Sequence, residues 1–343
     1  MEKQNPGKQI RAIDIHHHYF PPRLIDEVKQ HGKALGVELT EGEGKRITLT
    51  FAGGRRQSLE PGLTGVDARL SMMEKGRLAI AAVEANTGSL GYPLDGARGD
   101  SWCRLYNEGF RELVSKHPGR FLGLAAVPMQ DPARAAKVLE DAILTLGLSG
   151  AMIATNANGK YYHEKEFEPF WGKAQELNVL VVMHPDNVPG AERMRAMRLL
   201  TVCGNPADTT LSLGYMVFGG LFDRFPNLQI CVMHGGGFFP YHLGRFEKGF
   251  ALDSRSGKVP AASSPKAYLK NLYFDTLVYR VETLEYLKRM VGASRMMLGT
   301  DYPYDLGDWM GVEKVEAMDC TESERESILH GNARRALKLP AGA

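Results

Sequence analysis

Cysteine is scarce and scattered in this sequence: Cys103, Cys203, Cys231 and Cys320 among 343 residues, with no CxxC pair. That spacing excludes a disulfide scaffold and a thiolate metal cluster, and predicts buried, reduced thiols. An excess of one charge is also missing, since 42 Lys and Arg face 40 Asp and Glu for a net +2. With no basic run to track a phosphate backbone, nucleic acid is not an expected partner. Apolar runs such as Val179–Met183 and Ala79–Val83 are strand-sized, far short of the roughly 20 residues that cross a bilayer, so no membrane span is expected. The opening residues show no charged n-region followed by an apolar h-region, and the expected compartment is the cytoplasm. No GxGxxG fingerprint follows the first strand candidate, which removes the simplest dinucleotide-binding reading. What remains, at 43% hydrophobic and 24% charged residues, is the composition of an ordinary soluble globular protein.

Short apolar runs alternate with helix-length amphipathic segments. Strand candidates are Ile10–His16, Leu78–Val83, Phe121–Val127, Ala151–Thr155, Val179–His184, Gln229–His234, Leu272–Asp275 and Arg295–Thr300. Several are apolar throughout, as parallel strands buried on both faces must be. Helices are predicted at Ser101–Lys116 and at Pro132–Leu146, the latter with Asp131 as N-cap, Pro132 at its first position and Gly147 beyond its end. Eight such repeats predict an α/β fold, a (β/α)8 TIM barrel, as one domain over residues 1–343. The rhythm breaks at about residues 23–65, which read as an insertion after the first strand, with a small β-hairpin around Arg46–Phe51 over the barrel mouth.

The chemistry collects at strand ends, where a barrel of this type carries its functional groups. The first strand ends in His16-His17-His18. A purification tag would be a longer run at a terminus, whereas this triplet is internal and follows apolar Ile13 and Ile15. Strand alternation sends His16 and His18 to one side and His17 to the other. Two imidazoles on one side of a strand end can bind one transition metal, and zinc suits them. The fifth strand ends in His184-Pro185, the sixth in His234-Gly235-Gly236-Gly237 and the eighth in Asp301-Tyr302-Pro303. A lone histidine in such a place is more often a satisfied core residue, but four convergent strand ends with metal-capable groups reverse that expectation. His16, His18, His184 and Asp301 are therefore the candidate ligands of one Zn2+ ion, with Mn2+, Fe2+ or Co2+ accepted by the same donors. Asp301 is also a candidate proton acceptor. His234 is the candidate general acid/base, its glycine tail letting a substrate approach the backbone closely. The fourth strand, ending Thr155-Asn156, carries no bridging anion for a second metal.

These residues, in this order, resemble the amidohydrolase superfamily, in the branch of the aminocarboxymuconate semialdehyde decarboxylases. The likeness extends over RFLGLAAVPMQ in the segment from Pro118, the stretch from Gly219 to Phe246 containing HGGG, LGTDYPYDLG from Leu298 to Gly307, and HGNARRALKL near the C-terminus. It implies a mononuclear zinc barrel with the ligands named above, and two arginines that grip a substrate carboxylate. Arg245 matches one of them and Arg56 is the nearest match to the other, guanidinium forks being suited to a planar carboxylate. It further implies a homodimer in which such an arginine site is completed across the interface. Two features depart from the pattern: the segment after His184 carries Arg193, Arg195 and Arg198 where tryptophan is expected, and Asp305 adds a carboxylate.

The expected activity is non-oxidative decarboxylation of a small unsaturated or aromatic carboxylic acid, with His234 and Asp301 moving the proton. The alternative keeps the site and changes the bond, to hydrolysis or hydration of a ring-cleavage product, lactone or amide. A non-catalytic metal-binding module would be expected to have lost a ligand or His234, and none is missing.

Overall fold

The computed structural model describes residues 12–340 except 43 and 45. Its first strand, β1, covers Ala12–His18; Ile10 and Arg11, where the sequence predicts that strand to begin, lie outside the described residues. The strands that follow are β2 (Val37–Glu41), β3 (Ile47–Phe51), β4 (Arg56–Ser58), β5 (Leu78–Glu84), β6 (Phe121–Ala126), β7 (Gly150–Ala154), β8 (Leu180–His184), β9 (Gln229–Val232), β10 (Leu272–Asp275) and β11 (Met296–Met297). Eight of them form one parallel sheet in the order β1-β5-β6-β7-β8-β9-β10-β11. Helices between successive strands cover its outside, which makes the fold a (β/α)8 barrel.

The strands take this form because both of their faces are enclosed. Every residue of β7 and β8 is buried, so these runs need no polar alternation. The helices declare their starts chemically. Asp95 caps the helix Gly96–Lys116 by accepting from the Arg98 N–H, and Asp131 caps Pro132–Leu144 by accepting from the Arg134 N–H. The predicted second helix stops two residues early, and the predicted first helix begins five residues further upstream, at the Asp95 cap.

Closure of the barrel is the local event that matters most for function. Strand β11 is short, and the chain beyond it completes the seam by backbone hydrogen bonds. The Ile15 N–H donates to Leu298 O at 2.9 Å, Asp301 N–H to His16 O at 2.8 Å, and His18 N–H to Tyr302 O at 2.8 Å. The same bonds that close the barrel therefore hold Asp301 against His16.

The insertion is larger than a hairpin. A helix, Pro22–Leu35, precedes a three-stranded antiparallel sheet in the order β2-β3-β4. Gly53 (φ 95°) and Gly54 (φ 86°) make the β3–β4 turn, a backbone conformation that side chains disfavour. This turn brings Gly53, Gly54 and Arg55 to the cavity at the carboxyl ends of the barrel strands.

Candidate metal centre

Strand alternation acts on the histidine triplet as the sequence predicts. The His16 and His18 rings lie on one side with centroids 5.2 Å apart, while His17 stacks on Tyr302 at 4.9 Å. His17 is fully buried, and its Nδ1 is 2.7 Å from Asp14 Oδ2. Burial pushes its pKa down to about 4, so it is a neutral core histidine that ties β1 to the chain beyond β11.

The other three imidazoles share one arrangement. Nδ1 of His16 is 2.7 Å from Asp275 Oδ2, that of His18 is 3.0 Å from Ala85 O, and that of His184 is 2.9 Å from Pro185 O. Each acceptor selects the tautomer that carries its proton on Nδ1, which leaves the Nε2 lone pair free to bind an ion. All three Nε2 atoms, together with Asp301 Oδ1, are buried and make no hydrogen bond. One ligand atom from each of the four residues lies within 4.8 Å of the others. Asp301 Oδ1 is 3.2 Å from His16 Nε2 and 3.0 Å from His18 Nε2. Buried polar atoms without partners are costly, and three lone pairs converging on a carboxylate oxygen repel one another unless a positive charge lies among them. The donor set thus fits a divalent transition metal.

The carboxylates and imidazoles of this group also perturb one another. Burial works against a charge on His16, but the Asp301 and Asp275 carboxylates outweigh it and hold the imidazole well above its ordinary pKa. Burial would raise Asp301, yet the charge of His16 and the histidines around it hold the carboxyl well below the usual range. Burial lowers both His18 and His184, and for His184 the neighbouring histidines add to the effect.

His234 follows β9 and stands at φ 56°. Its Nε2 is 3.8 Å from Asp301 Oδ2 and its ring centroid is 5.0 Å from that of His184. It lines a cavity of about 830 Å³ together with His184, Asp301, Arg55 and Tyr304. The glycine run after it serves a different purpose from the one expected. A Cβ on Gly235 would come within 2.4 Å of Val278, one on Gly236 within 2.6 Å of Phe274, and one on Gly237 within 2.2 Å of Pro206 O. The glycines let this turn pack against the protein itself, which fixes the position of His234.

Asp275, at the end of β10, has no role in the sequence reading. One of its oxygens engages His16 Nδ1 and the other accepts from the Gly235 N–H at 2.7 Å. A single carboxylate therefore orients both a candidate ligand and the turn that carries His234. Asp275→Asn is expected to weaken divalent-metal affinity roughly 10- to 100-fold, the scale found when outer partners of metal ligands are removed. A chelator competition titration reads this directly.

Glu84, at the end of β5, is a second residue without a predicted role. It is fully buried, and its Oε1 lies 3.9 Å from His16 Nε2 and 3.6 Å from His18 Nδ1. Burial pushes its pKa up to about 8.

The two candidate arginines are both exposed. Arg56 is exposed on β4, while its neighbour Arg55 lines the cavity and pairs with Asp186. Arg245 is exposed on the helix Leu243–Asp253 and does not line the cavity. The two departures from the family pattern meet each other: Arg198 and Asp305 form an exposed ion pair of 2.6 Å, and both line the cavity mouth. Beyond the end of β7, Thr155 and Asn156 meet the buried Asp208 of the helix Asn205–Phe218, which accepts from Tyr161 Oη at 2.8 Å and Asn156 Nδ2 at 3.1 Å, and also from the Thr155 hydroxyl. Among the described residues, no second group of metal-capable side chains assembles. No helix among them is long and apolar enough to cross a membrane.

Comparison with known proteins agrees with this geometry. A family profile described as amidohydrolase matches residues 13–339. A 2-amino-3-carboxymuconate-6-semialdehyde decarboxylase from Dictyostelium discoideum is 30% identical over 328 residues, covering 95% of this chain and 91% of the relative. A gamma-resorcylate decarboxylase from a Polaromonas species is 30% identical over 289 residues, covering 80% and 87%. The crystal structure of a Polaromonas dihydroxybenzoic acid decarboxylase with bound manganese and the inhibitor 2-nitroresorcinol superposes with a TM-score of 0.78 at 26% identity, covering 96% of this chain and 97% of that one. With the profile spanning nearly the whole chain and the strand-end residues converging as described, this protein belongs to the amidohydrolase family.

Proposed function

We propose that the protein is a metal-dependent, non-oxidative decarboxylase of a small unsaturated or aromatic carboxylic acid, built as a single barrel domain. The observation that carries this reading is the convergence of three unpartnered imidazole nitrogens and Asp301 at the floor of a cavity, with His234 beside them. The activities named for the similar decarboxylases support the same reaction class. His16, His18, His184 and Asp301 would hold the ion. Zinc suits the three imidazoles, and manganese, present in the dihydroxybenzoic acid decarboxylase, is the competing choice. When bound, the ion supplies positive charge that polarises the substrate's oxygens and stabilises negative charge developing in its conjugated system.

The chain's own groups do the rest. Arg55 is a half-buried cation of the cavity placed to hold a substrate carboxylate, with Asp186 fixing its guanidinium, whereas Arg198 is exposed at the mouth. His234 carries a proton to the carbon that bears the departing carboxylate. The electron pair of the C–CO2 bond passes into the new C–H bond by way of the π-system, and CO2 leaves. Asp301, kept ionised and 3.8 Å from His234 Nε2, orients that imidazole for the transfer. Arg55→Met is expected to raise KM roughly 10- to 100-fold, the loss of a hydrogen bond to a charged group; steady-state kinetics measures it.

The expected roles of Arg245 and Arg56 belong to a homodimer. Both side chains are exposed, and Arg245 lies near the exposed Phe238 and Tyr241 in sequence, so it would serve a partner's cavity rather than its own. Arg56 is the weaker of the two, because Arg55 already occupies the cavity. A cytoplasmic location fits the four free cysteines.

The decisive experiment loads the protein with Zn2+ or Mn2+ and follows CO2 release from 2-amino-3-carboxymuconate semialdehyde and from dihydroxybenzoates. No CO2 from either class, with solvent oxygen appearing in a product, would replace decarboxylation by the hydrolase or hydratase reading.

A further inference from the structure

Among the described residues, buried carboxylates are, with two exceptions, supplied with donors. Asp208 has Thr155, Tyr161 and Asn156; Asp14 has the Thr300 hydroxyl and His17; Asp275 has His16 and the Gly235 N–H. The exceptions are Asp301, whose Oδ1 accepts nothing, and Glu84, whose two oxygens both accept nothing. For Asp301 the absence of a donor has a ready explanation, since that oxygen belongs to the set of four that fits an ion. Glu84 presents the same signature to the same centre. It is fully buried, and a barrel interior does not retain an unpaired carboxyl without a compensating interaction.

Its position narrows what that interaction is. Glu84 ends β5, the strand paired with β1, with His18 and Glu84 in register. Its Oε1 is 3.9 Å from His16 Nε2, the nitrogen free for a metal. Donors bonded to one ion at about 2.1 Å stand roughly 3–4 Å from one another, and this separation falls in that range. Glu84 is outside the four-atom group as it stands, at the edge of the same centre.

We propose that Glu84 is a fifth protein donor to the divalent ion held by His16, His18, His184 and Asp301, an inference that rests on the metal-centre reading above. Two carboxylates then balance the charge of a dication, where Asp301 alone would leave the centre with a net positive charge. Five protein donors also exceed the tetrahedral preference of a structural zinc site and favour ions that accept higher coordination and harder oxygen ligands, such as Mn2+.

The test uses metal-free full-length protein and Co2+, comparing wild type with Glu84→Gln. The amide is isosteric and keeps the packing of the buried side chain, so the metal-free variant is expected to melt close to wild type, which shows that it folds. Co2+ affinity, from competition with a chelator, should fall at least about 10-fold, as even the loss of an outer partner does. The visible d–d absorption of the bound Co2+ should strengthen, because loss of a donor moves the ion toward tetrahedral geometry, where these transitions are more strongly allowed. Unchanged affinity and spectrum would overturn the proposal. Weaker affinity with an unchanged spectrum would also overturn it, since Glu84 would then act only as a nearby charge. Wild-type protein that takes up no Co2+ would instead remove the metal centre itself, along with the inference built on it.

Discussion

Replacing His234 by Asn is expected to lower kcat by about 10²–10⁴, the contribution of a positioned general acid/base, or roughly 3–5 kcal/mol of barrier. The prediction follows from where the side chain stands. His234 Nε2 is 3.8 Å from Asp301 Oδ2, and the ring faces the cavity. It is outside the group of four converging ligand atoms, so its loss should leave bound metal at wild-type stoichiometry. Metal content by elemental analysis, measured on the same samples as CO2 release, separates the two effects. A variant that also loses its ion would move His234 into the ligand set. A variant with full activity would remove it from the proton path. Stability should change little, because the turn is held by its glycines and by Asp275 rather than by the imidazole.

His184→Ala is expected to abolish high-affinity metal binding and, with it, turnover. The imidazole is one of four donors, its Nδ1 is committed to Pro185 O, and its Nε2 has no other partner. Removing one donor of four costs more than removing an outer partner, so metal affinity should fall by well over about 100-fold. The metal-free variant should nevertheless fold. His184 sits at the cavity end of β8, and its loss removes an unsatisfied buried nitrogen. The readout is the rise in Tm on adding Zn2+, which a ligand specific for the folded state produces and a protein without a site does not. Wild type should show that rise and His184→Ala should not. An equal rise in both would exclude His184 from the centre. His17 is the contrasting case: its substitution should lower Tm through the lost contacts with Asp14 and Tyr302, while the metal-induced rise persists.

The barrel was legible in the sequence because its signals are local. Apolar runs of strand length, Asp caps before helices and glycines after them each depend on a few adjacent residues. The candidate site residues were legible for a related reason. In a parallel barrel every strand delivers its last residues to the same end, so His16, His18, His184, His234 and Asp301 could be associated without knowing any distance.

What escaped notice depended on contacts between distant segments. Asp275 and Glu84 close β10 and β5 much as His184 closes β8, yet a lone Asp or Glu after an apolar run is also what a surface turn looks like. Only the packing shows Asp275 bridging His16 and Gly235, and Glu84 buried without a donor. That Arg55, next to the Arg56 singled out from the sequence, reaches the cavity depends on the turn between β3 and β4. The HGGG run read as room for substrate, but Val278, Phe274 and Pro206 fill that room.

By itself the sequence determined a (β/α)8 barrel and the strand ends where its chemistry collects, because strand period and parallel topology are properties of the chain's local pattern. Only the tertiary structure decided which nitrogen of each histidine is free, that Asp301 is held against His16 by the bonds closing the barrel, and that Glu84 faces the same centre. For His16 and His18 the tautomer, and for Glu84 the burial and donor count, are set by neighbours tens to hundreds of residues away in the chain, and no local pattern encodes them.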